Sequence, residues 1–190
     1  METLCVTGHR PDGLPWKKQR DNVGRRGDYL CELKSIIIYC VEHGFRYFIA
    51  GGALGVDTDF AKTVLELKKK YPFVTLEIAV PCPDQSRYWS DEEKSEYEEI
   101  AEKADKVTVL SPNYSQYCMH KRNKYMVDNS DCVLCCYNGA NEGGTFGTIK
   151  YAERENKKLI FVDLSENGHN GERKTVDFVY NITSEHTRRA

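Results

Sequence analysis

The sequence has no apolar run that approaches the roughly 20 residues a membrane-spanning helix needs. Its first residues, METLCVTGH, also lack the basic segment and long apolar core of a secretion signal. These two absences predict a cytoplasmic protein that does not associate with a membrane.

A strong excess of positive charge is missing as well, since 27 basic residues are balanced by 29 acidic ones and the formal net charge is −2. Nucleic-acid binding usually requires a strong positive field, so this balance argues against a nucleic-acid partner. One basic cluster, residues 17–26, is interpreted as a solvated loop. An alternative function as an interaction module for protein or nucleic acid depends only on this cluster.

A disulfide framework is not expected, because the eight cysteines occur without a secretion signal and should be reduced. Cys132 and Cys135 have the CxxC spacing of many metal sites. Their segment, DCVLCCY, has the character of a buried strand, in which positions three apart point to opposite faces. We therefore predict no metal site and interpret most cysteines as small core residues.

Short apolar runs alternate with segments of helical character, a pattern typical of a parallel sheet covered on both faces. With 190 residues, 40% of them hydrophobic, one core is expected. The sequence predicts a single α/β domain over 1–190, a Rossmann-like three-layer sandwich with a mainly parallel sheet of about six strands. The turn-rich segment 164–190 is predicted to be a peripheral C-terminal tail. Predicted strands are 4–8, 45–52, 73–81, 106–111, 131–138 and 158–164, and predicted helices are 27–43, 56–70, 90–104, 115–129 and 146–155.

Unusual residues follow the carboxyl ends of four predicted strands. These segments are TGHRP, GGALGVD, PCPDQ and the glycine-rich stretch NGANEGGTFGT. Because the carboxyl ends of parallel strands share one rim, where ligands bind at a switch in strand order, we expect a single site there.

The segment GGALGVD contains the candidate ligand-binding residues Gly51, Gly52, Ala53, Gly55 and Asp57. Its glycines allow a tight turn, and the helix that follows offers unpaired N–H groups to an anion. Asp57 is interpreted either as a plain helix cap or as a group that contacts ribose hydroxyls or polarises a water molecule. Neither the GxGxxG fingerprint nor the lysine-bearing P-loop is present, which disfavours classical dehydrogenases and P-loop NTPases.

The segment GGTFGT is interpreted as a second phosphate-binding turn. Gly143, Gly144 and Gly147 give access to the backbone, and the hydroxyls of Thr145 and Thr148 are expected to donate to phosphate oxygens. Two such turns on one rim favour a phosphorylated ligand.

The remaining candidates lie after the first strand and in the fourth helix. Arg10 suits a phosphate because its planar fork fits oxyanions, whereas His9 is assigned to ligand contact or loop anchoring. Tyr88 and Trp89 are candidates for stacking on a base. The other candidate contacts are Thr7, Gly8, Arg122 and Asn123.

The motifs TGHRP, GGALGVD, RN in the fourth helix and GGTFGT together resemble the YpsA-like branch of the SLOG superfamily. This Rossmann-like group includes the DNA-processing protein DprA (Smf) and the LOG cytokinin-activating enzymes, and the likeness covers about residues 1–163. The resemblance implies a nucleotide-derived ligand such as NAD, an ADP-ribose derivative or a nucleoside phosphate, with no certain cofactor. It also implies a homo-oligomer, dimer or larger.

LOG enzymes cleave the N-glycosidic bond of nucleoside monophosphates with an arginine and the glutamate of a GGxGTxxE motif. Arg122 matches the arginine, but Tyr151 stands at the glutamate position, and a tyrosine cannot replace a carboxylate at neutral pH. The leading hypothesis is therefore a sensor, carrier or sequestering protein that binds such a ligand. The alternative is a nucleotide N-glycosidase that uses Asp57 and Arg122 as catalytic residues.

Overall fold

The fold is taken from a computed structural model, which describes residues 1–17 and 23–165. Within these ranges the chain forms six strands and five α-helices. They are β1 (Glu2–Gly8), α1 (Val23–Glu42), β2 (Phe45–Ala50), α2 (Val56–Lys68), β3 (Thr75–Val80), α3 (Asp91–Lys103), β4 (Lys106–Val109), α4 (Cys118–Asp128), β5 (Cys132–Tyr137), α5 (Gly143–Arg154) and β6 (Lys158–Asp163).

The six strands form one sheet in the order β4-β3-β2-β1-β5-β6, and every neighbouring pair is parallel. Helices α1 and α2 pack on one face with α3 beside α2, while α4 and α5 pack on the other. Because both faces are covered, the strands are continuous apolar runs rather than alternating ones. The predicted Rossmann-like three-layer α/β sandwich is confirmed, and the sheet is entirely parallel.

Alternation along the strands divides the core into two clusters. On β1, Leu4 and Val6 belong to the large cluster under α1 and α2, and Cys5 belongs to the smaller one under α4 and α5. Cys132 and Cys135 fall into opposite clusters in the same way, which confirms the interpretation of DCVLCCY as a buried strand. All eight cysteines are free thiols, and only Cys31 is exposed. Within the described ranges no group of three or more His, Cys, Asp or Glu side chains is arranged to hold a metal ion.

The strand order creates a switch point beside β1. The chain passes from β1 to β2 on one side, whereas β5 pairs with the other side of β1. The loops that leave the carboxyl ends of β1 and β5 therefore run in opposite directions, and in such sheets this opens a crevice for ligands.

Several element boundaries differ from the predicted ones. Helix α5 begins at Gly143 instead of 146, so the segment GGTFGT forms the first turns of a helix, where a turn had been predicted. The low helix propensity of glycine hid this start from the sequence. The predicted tail 164–190 lies outside the described residues after 165. None of the described helices is long and apolar enough to cross a membrane.

Candidate functional site

A cleft of about 240 Å³ opens at the carboxyl edge of the sheet, where the end of β1 meets α2, α4 and α5. We call it the rim cleft. It brings together most of the predicted site residues from all four elements. The predicted residues that line it are Thr7, Gly8, His9, Arg10, Ala53, Asp57, Arg122, Asn123, Gly144, Thr145 and Thr148.

The other predicted residues, all glycines, are not part of the lining. Four of them adjoin a lining residue in the sequence, and the fifth, Gly51, lies two residues before Ala53; the four are Gly52, Gly55, Gly143 and Gly147. The sequence argument in turn missed five lining residues, which are Cys5, Val6, Leu54, Met119 and Met126. The two methionines had a detectable signal. They lie three residues before and four residues after Arg122, so they share its helix face.

A buried ion pair crosses the top of the sheet within the rim cleft. Arg122 Nη1 on α4 donates to Asp57 Oδ2 on α2 at 3.1 Å, and the two side chains are 8% and 9% exposed. The backbone N–H of Ala53 donates to the same carboxylate oxygen at 3.1 Å. Asp57 is therefore both an anchor for the turn before α2 and the partner of Arg122. The pair connects the helical layers on the two faces of the sheet.

Gly51 is required by this ion pair. A Cβ atom at this position would lie 1.4 Å from Arg122 Nη1 and 2.7 Å from Asp57 Oδ2. The guanidinium therefore occupies the space that any other residue's side chain would need. Gly52 and Gly55 have φ angles of +65° and +92°, which other residues rarely adopt, so GGALGVD needs its glycines for the shape of the turn.

The electrostatics of Asp57 are set by competing effects. Burial raises the pKa of its carboxyl group, while Arg122 and the Ala53 N–H oppose that rise. Both hydrogen bonds go to Oδ2, and among the described residues none reaches Oδ1. Asp57 therefore offers one carboxylate oxygen to the rim cleft.

Arg122 has unused hydrogen-bonding capacity. Its Nε–H is buried and has no hydrogen-bond partner among the described residues. A guanidinium carries five N–H donors, and a buried donor left unpaired costs about 1–3 kcal/mol. An acceptor that binds in the cleft beside Arg122 would relieve this cost.

Helix α5 begins without a side-chain cap. Its N-cap residue, Glu142, makes no capping hydrogen bond, whereas α3 begins with a complete capping box formed by Ser90 and Glu93. The first N–H groups of α5 are thus not satisfied by a side chain at its N-cap, and the helix dipole adds a partial positive charge there. A Cβ atom at Gly144 or Gly147 would meet nothing within 4 Å among the described residues, so no contact with them requires glycine at these two positions.

The two threonines of α5 have different roles. Thr148 Oγ1 donates to the Gly144 carbonyl at 2.7 Å and accepts from Asn123 Nδ2 at 2.8 Å. Its proton is used within the helix in this structure, so the role of Thr148 as a donor to a phosphate stays a prediction that would require this bond to break. Asn123 and Thr148 hold α4 against α5. Thr145 is buried and makes no side-chain hydrogen bond within the described residues, so its hydroxyl is the one available to a ligand.

His9 connects the loops that follow β1 and β5. Its Nε2 accepts from the backbone N–H of Asn138 at 3.2 Å, and its ring stacks on Tyr137 with centroids 5.9 Å apart. Burial lowers the pKa of the imidazole, so the ring is neutral and carries its proton on Nδ1. This geometry corresponds to the loop-anchoring role, although His9 also lines the cleft.

The charge of the lining favours an anion. Arg10 is exposed at the mouth of the cleft, so two arginines are balanced by the single carboxylate of Asp57. The neutral His9 adds no charge. With the uncapped start of α5 included, the cleft has a net positive potential and suits a phosphate better than a metal ion.

Three predicted aromatic residues lie away from the rim cleft. Tyr151 donates to Asp128 Oδ1 at 2.6 Å, and Lys124 stacks over its ring. Tyr88 is 90% exposed, and Trp89 packs edge-on against Tyr97. None of the three lines the cleft. The position that holds the glutamate in LOG enzymes therefore faces another helix in this protein.

The basic cluster 17–26 lies partly outside the described residues, which omit 18–22. Of its described side chains, Arg26 pairs with Asp59 at 3.2 Å, and Arg25 donates to the carbonyl of Ser165. Both arginines are thus engaged within the chain, which weakens the case for an interaction surface there.

Comparison with known proteins identifies the family. The UPF0398 protein of Bacillus pumilus (strain SAFR-032) is 29% identical over 156 residues, which is 80% of this chain and 82% of that protein. The UPF0398 protein YpsA of Bacillus subtilis (strain 168) is 26% identical over 174 residues, 87% of this chain and 94% of that protein. The SPbeta prophage-derived protein YoqJ of the same strain is 35% identical over 125 residues, 60% of this chain and 72% of that protein. Residues 4–166 match the family model described as the YspA SLOG family, and the protein therefore belongs to this YpsA-type SLOG family.

Proposed function

We propose that the rim cleft binds a nucleotide-derived small molecule through a phosphate group. The observation that carries this proposal is the side chain of Arg122, which is 92% buried in the lining and has a partnerless Nε–H. Asp57 satisfies only one of its donors, and an anionic oxygen is the acceptor that a guanidinium binds best.

The other lining groups fit the same ligand. Gly144 and Thr145 bring the start of α5 into the lining, where a helix N-terminus favours a phosphate and the Thr145 hydroxyl is a further donor. Asp57 Oδ1 is suited to accept from a ribose hydroxyl. The volume of about 240 Å³ is below the roughly 300–1,000 Å³ of typical ligand pockets. It is therefore matched to a ribose phosphate, and a larger ligand would extend beyond it.

We infer that the ligand is bound without being turned over, as in a sensor, carrier or sequestering protein that acts in the cytoplasm. The number of carboxyl groups in the rim cleft supports this inference. Glycosidases usually employ two carboxyl groups, about 5–9.5 Å apart. Among the described residues the rim cleft has only Asp57. The family likeness further leads us to propose a homo-oligomer, which sedimentation would test.

The binding proposal is tested by calorimetry with ribose 5-phosphate, AMP, ADP-ribose and NAD. We expect at least one of them to bind and to be recovered unchanged. Thr145→Val removes the free hydroxyl at constant shape and should weaken binding, whereas Lys150→Ala on the exposed side of α5 should not. If none of the four ligands binds at millimolar concentration, the proposal is wrong.

The N-glycosidase alternative is favoured by one observation, the contact between Asp57 and Arg122 inside the rim cleft. Chromatography of AMP after incubation with the protein would reveal released adenine. If Asp57→Asn no longer released adenine, the N-glycosidase alternative would be supported. If the wild-type chain released no adenine after a day at high protein concentration, this alternative would be contradicted.

A further inference from the structure

A second cleft, of about 400 Å³, opens at the same edge of the sheet on the other side of the loop after β1. Three loops form it, and they leave the carboxyl ends of β1, β5 and β6. Its lining consists of Asp12, Gly13, Leu14, Pro15, Asn138, Gly139, Ala140 and Leu164. None of these residues lines the rim cleft.

A thin partition separates the second cleft from the rim cleft. It is formed by His9, whose Nε2 accepts from the Asn138 N–H at 3.2 Å, and by the Asn138 side chain, which donates to the Gly13 carbonyl at 3.2 Å. His9 belongs to one lining, and Asn138 and Gly13 belong to the other. The side chains of His9 and Asn138 and their two hydrogen bonds therefore lie where the two linings meet.

The loop 138–142 places the start of α5 next to both clefts. Ala140 lines the second cleft, and Gly144, four residues later, lines the rim cleft. A phosphate held by the first N–H groups of α5 would therefore lie close to the boundary. A group attached to that phosphate can extend toward either space.

The chemistry of the second cleft differs from that of the rim cleft. Among the described residues its lining has no lysine or arginine and one acid, Asp12. It includes the apolar side chains of Leu14, Pro15, Ala140 and Leu164. The Asn138 side chain is committed to the loop, since its Oδ1 accepts from the Ala140 N–H at 3.1 Å. Apolar walls with a few polar groups suit an uncharged ring system, and the volume lies within the roughly 300–1,000 Å³ of typical ligand pockets.

We propose that the second cleft binds the nucleoside end of a ligand whose phosphoryl and ribosyl part occupies the rim cleft. The ligand class is then a nucleoside diphosphate joined to a second sugar, in which the pyrophosphate passes the start of α5. This inference rests on the proposed function, because it requires a phosphate beside Arg122.

The test compares ribose 5-phosphate, which fits the rim cleft alone, with ADP-ribose, which is long enough to reach both clefts. Calorimetry on the wild-type chain should give an affinity for ADP-ribose at least tenfold higher than that for ribose 5-phosphate. Ala140→Trp fills the second cleft and should remove this difference while leaving the affinity for ribose 5-phosphate within twofold. Glu98→Trp adds the same ring on the exposed side of α3 and should change neither affinity.

Hydrogen exchange gives a readout that needs no substitution. ADP-ribose should protect the backbone amides of 12–14 and 138–140 beyond the protection that ribose 5-phosphate gives. Equal affinities for the two ligands, or an unchanged affinity of Ala140→Trp for ADP-ribose, would contradict the proposal for the second cleft. The proposed function of the rim cleft would remain. Failure of ADP-ribose to bind while AMP binds would overturn this inference alone. Failure of ribose 5-phosphate, AMP, ADP-ribose and NAD alike would overturn the proposed function, and this inference with it.

Discussion

Replacement of Arg122 by methionine tests how strongly the ion pair stabilises Asp57, the only carboxylate among the described residues of the rim cleft. Arg122 and Asp57 are almost fully buried and 3.1 Å apart, and the Ala53 N–H is the only other donor to Asp57 among the described residues. Methionine keeps an unbranched side chain that can fill the position of the arginine stem, and it removes the guanidinium with its charge. Asp57 would then be a buried carboxylate with a single hydrogen bond.

Breaking a buried ion pair from one side costs about 3–5 kcal/mol, so Arg122→Met should lower the free energy of unfolding by about that much at pH 7. Part of this loss appears in the pKa of Asp57, which the guanidinium of Arg122 lowers in the wild-type chain. Burial already raises this pKa, and removal of the guanidinium raises it further. An acid whose pKa is higher in the folded state destabilises the fold as pH increases, because the unfolded chain releases the proton first.

The stability of Arg122→Met should therefore fall as pH rises from about 3.9, the ordinary pKa of an aspartate, through the raised pKa of the folded state. The wild-type chain should have a shallower slope of the same sign, and the double variant Asp57→Asn/Arg122→Met should lack this contribution. Urea denaturation of these chains and of Asp57→Asn, at several pH values between 4 and 8, gives both the slopes and the coupling energy.

The chain provides a matched control. Asp59 lies two residues after Asp57 and pairs with Arg26 at 3.2 Å, but the Arg26 side chain is 53% exposed. A double-mutant cycle on this pair should yield only about 0–1 kcal/mol. The buried pair is not coupled as described if the losses of unfolding free energy in Asp57→Asn and Arg122→Met sum to the loss in the double variant within about 0.5 kcal/mol. The same holds if stability depends on pH equally in Arg122→Met and in the wild type.

Three further outcomes follow from the same geometry. Gly144→Ala should leave the free energy of unfolding equal or slightly higher and should weaken phosphate binding in calorimetry, because the added methyl group enters the open space of the cleft. Gly51→Ala should instead lower the free energy of unfolding by about 1–3 kcal/mol in urea denaturation, because it displaces Arg122. Since burial lowers the pKa of His9, stability should decrease as pH falls below about 6.5, and NMR titration should place its pKa below that value; a pKa at or above it would contradict the neutral ring. Glu77 is buried and accepts from three hydroxyl groups, so Glu77→Gln should cost about 1.5–3 kcal/mol in urea denaturation, and an unchanged midpoint would count against the network.

The convergence of the site was predictable because it follows from topology. Continuous apolar runs indicated a parallel sheet, and parallel strands end on one edge, so TGHRP, GGALGVD and the start of α5 had to lie near one another. Nothing in that argument depended on side-chain geometry. The same reasoning placed Asp57 at this edge. Arg122, 65 residues further along the sequence, was a candidate for other reasons, namely its place in the helix before the last glycine-rich segment and its match to the arginine of LOG enzymes.

Hydrogen-bond partners were not predictable in this way. The Thr148 hydroxyl is consumed by the Gly144 carbonyl, a bond within α5, and by Asn123 on another helix. A sequence pattern identifies a hydroxyl but not whether its proton is free. The reach of Arg122 over the end of β2 likewise depends on how α4 crosses the sheet, which no local pattern specifies.

The glycines of GGALGVD and those at positions 144 and 147 have different physical causes, and the difference bears on the proposed phosphate site. At Gly51 a side chain would collide with Arg122, and Gly52 and Gly55 have positive φ angles, so the chain itself requires glycine there. Gly144 and Gly147 lie in the first turns of α5 with open space around them, although glycine within a helix costs about 1 kcal/mol relative to alanine. The segment GGALGVD is therefore a scaffold that holds the ion pair. At Gly144 the absence of a side chain leaves the start of α5 open toward the rim cleft, which is the space that the proposed phosphate would need.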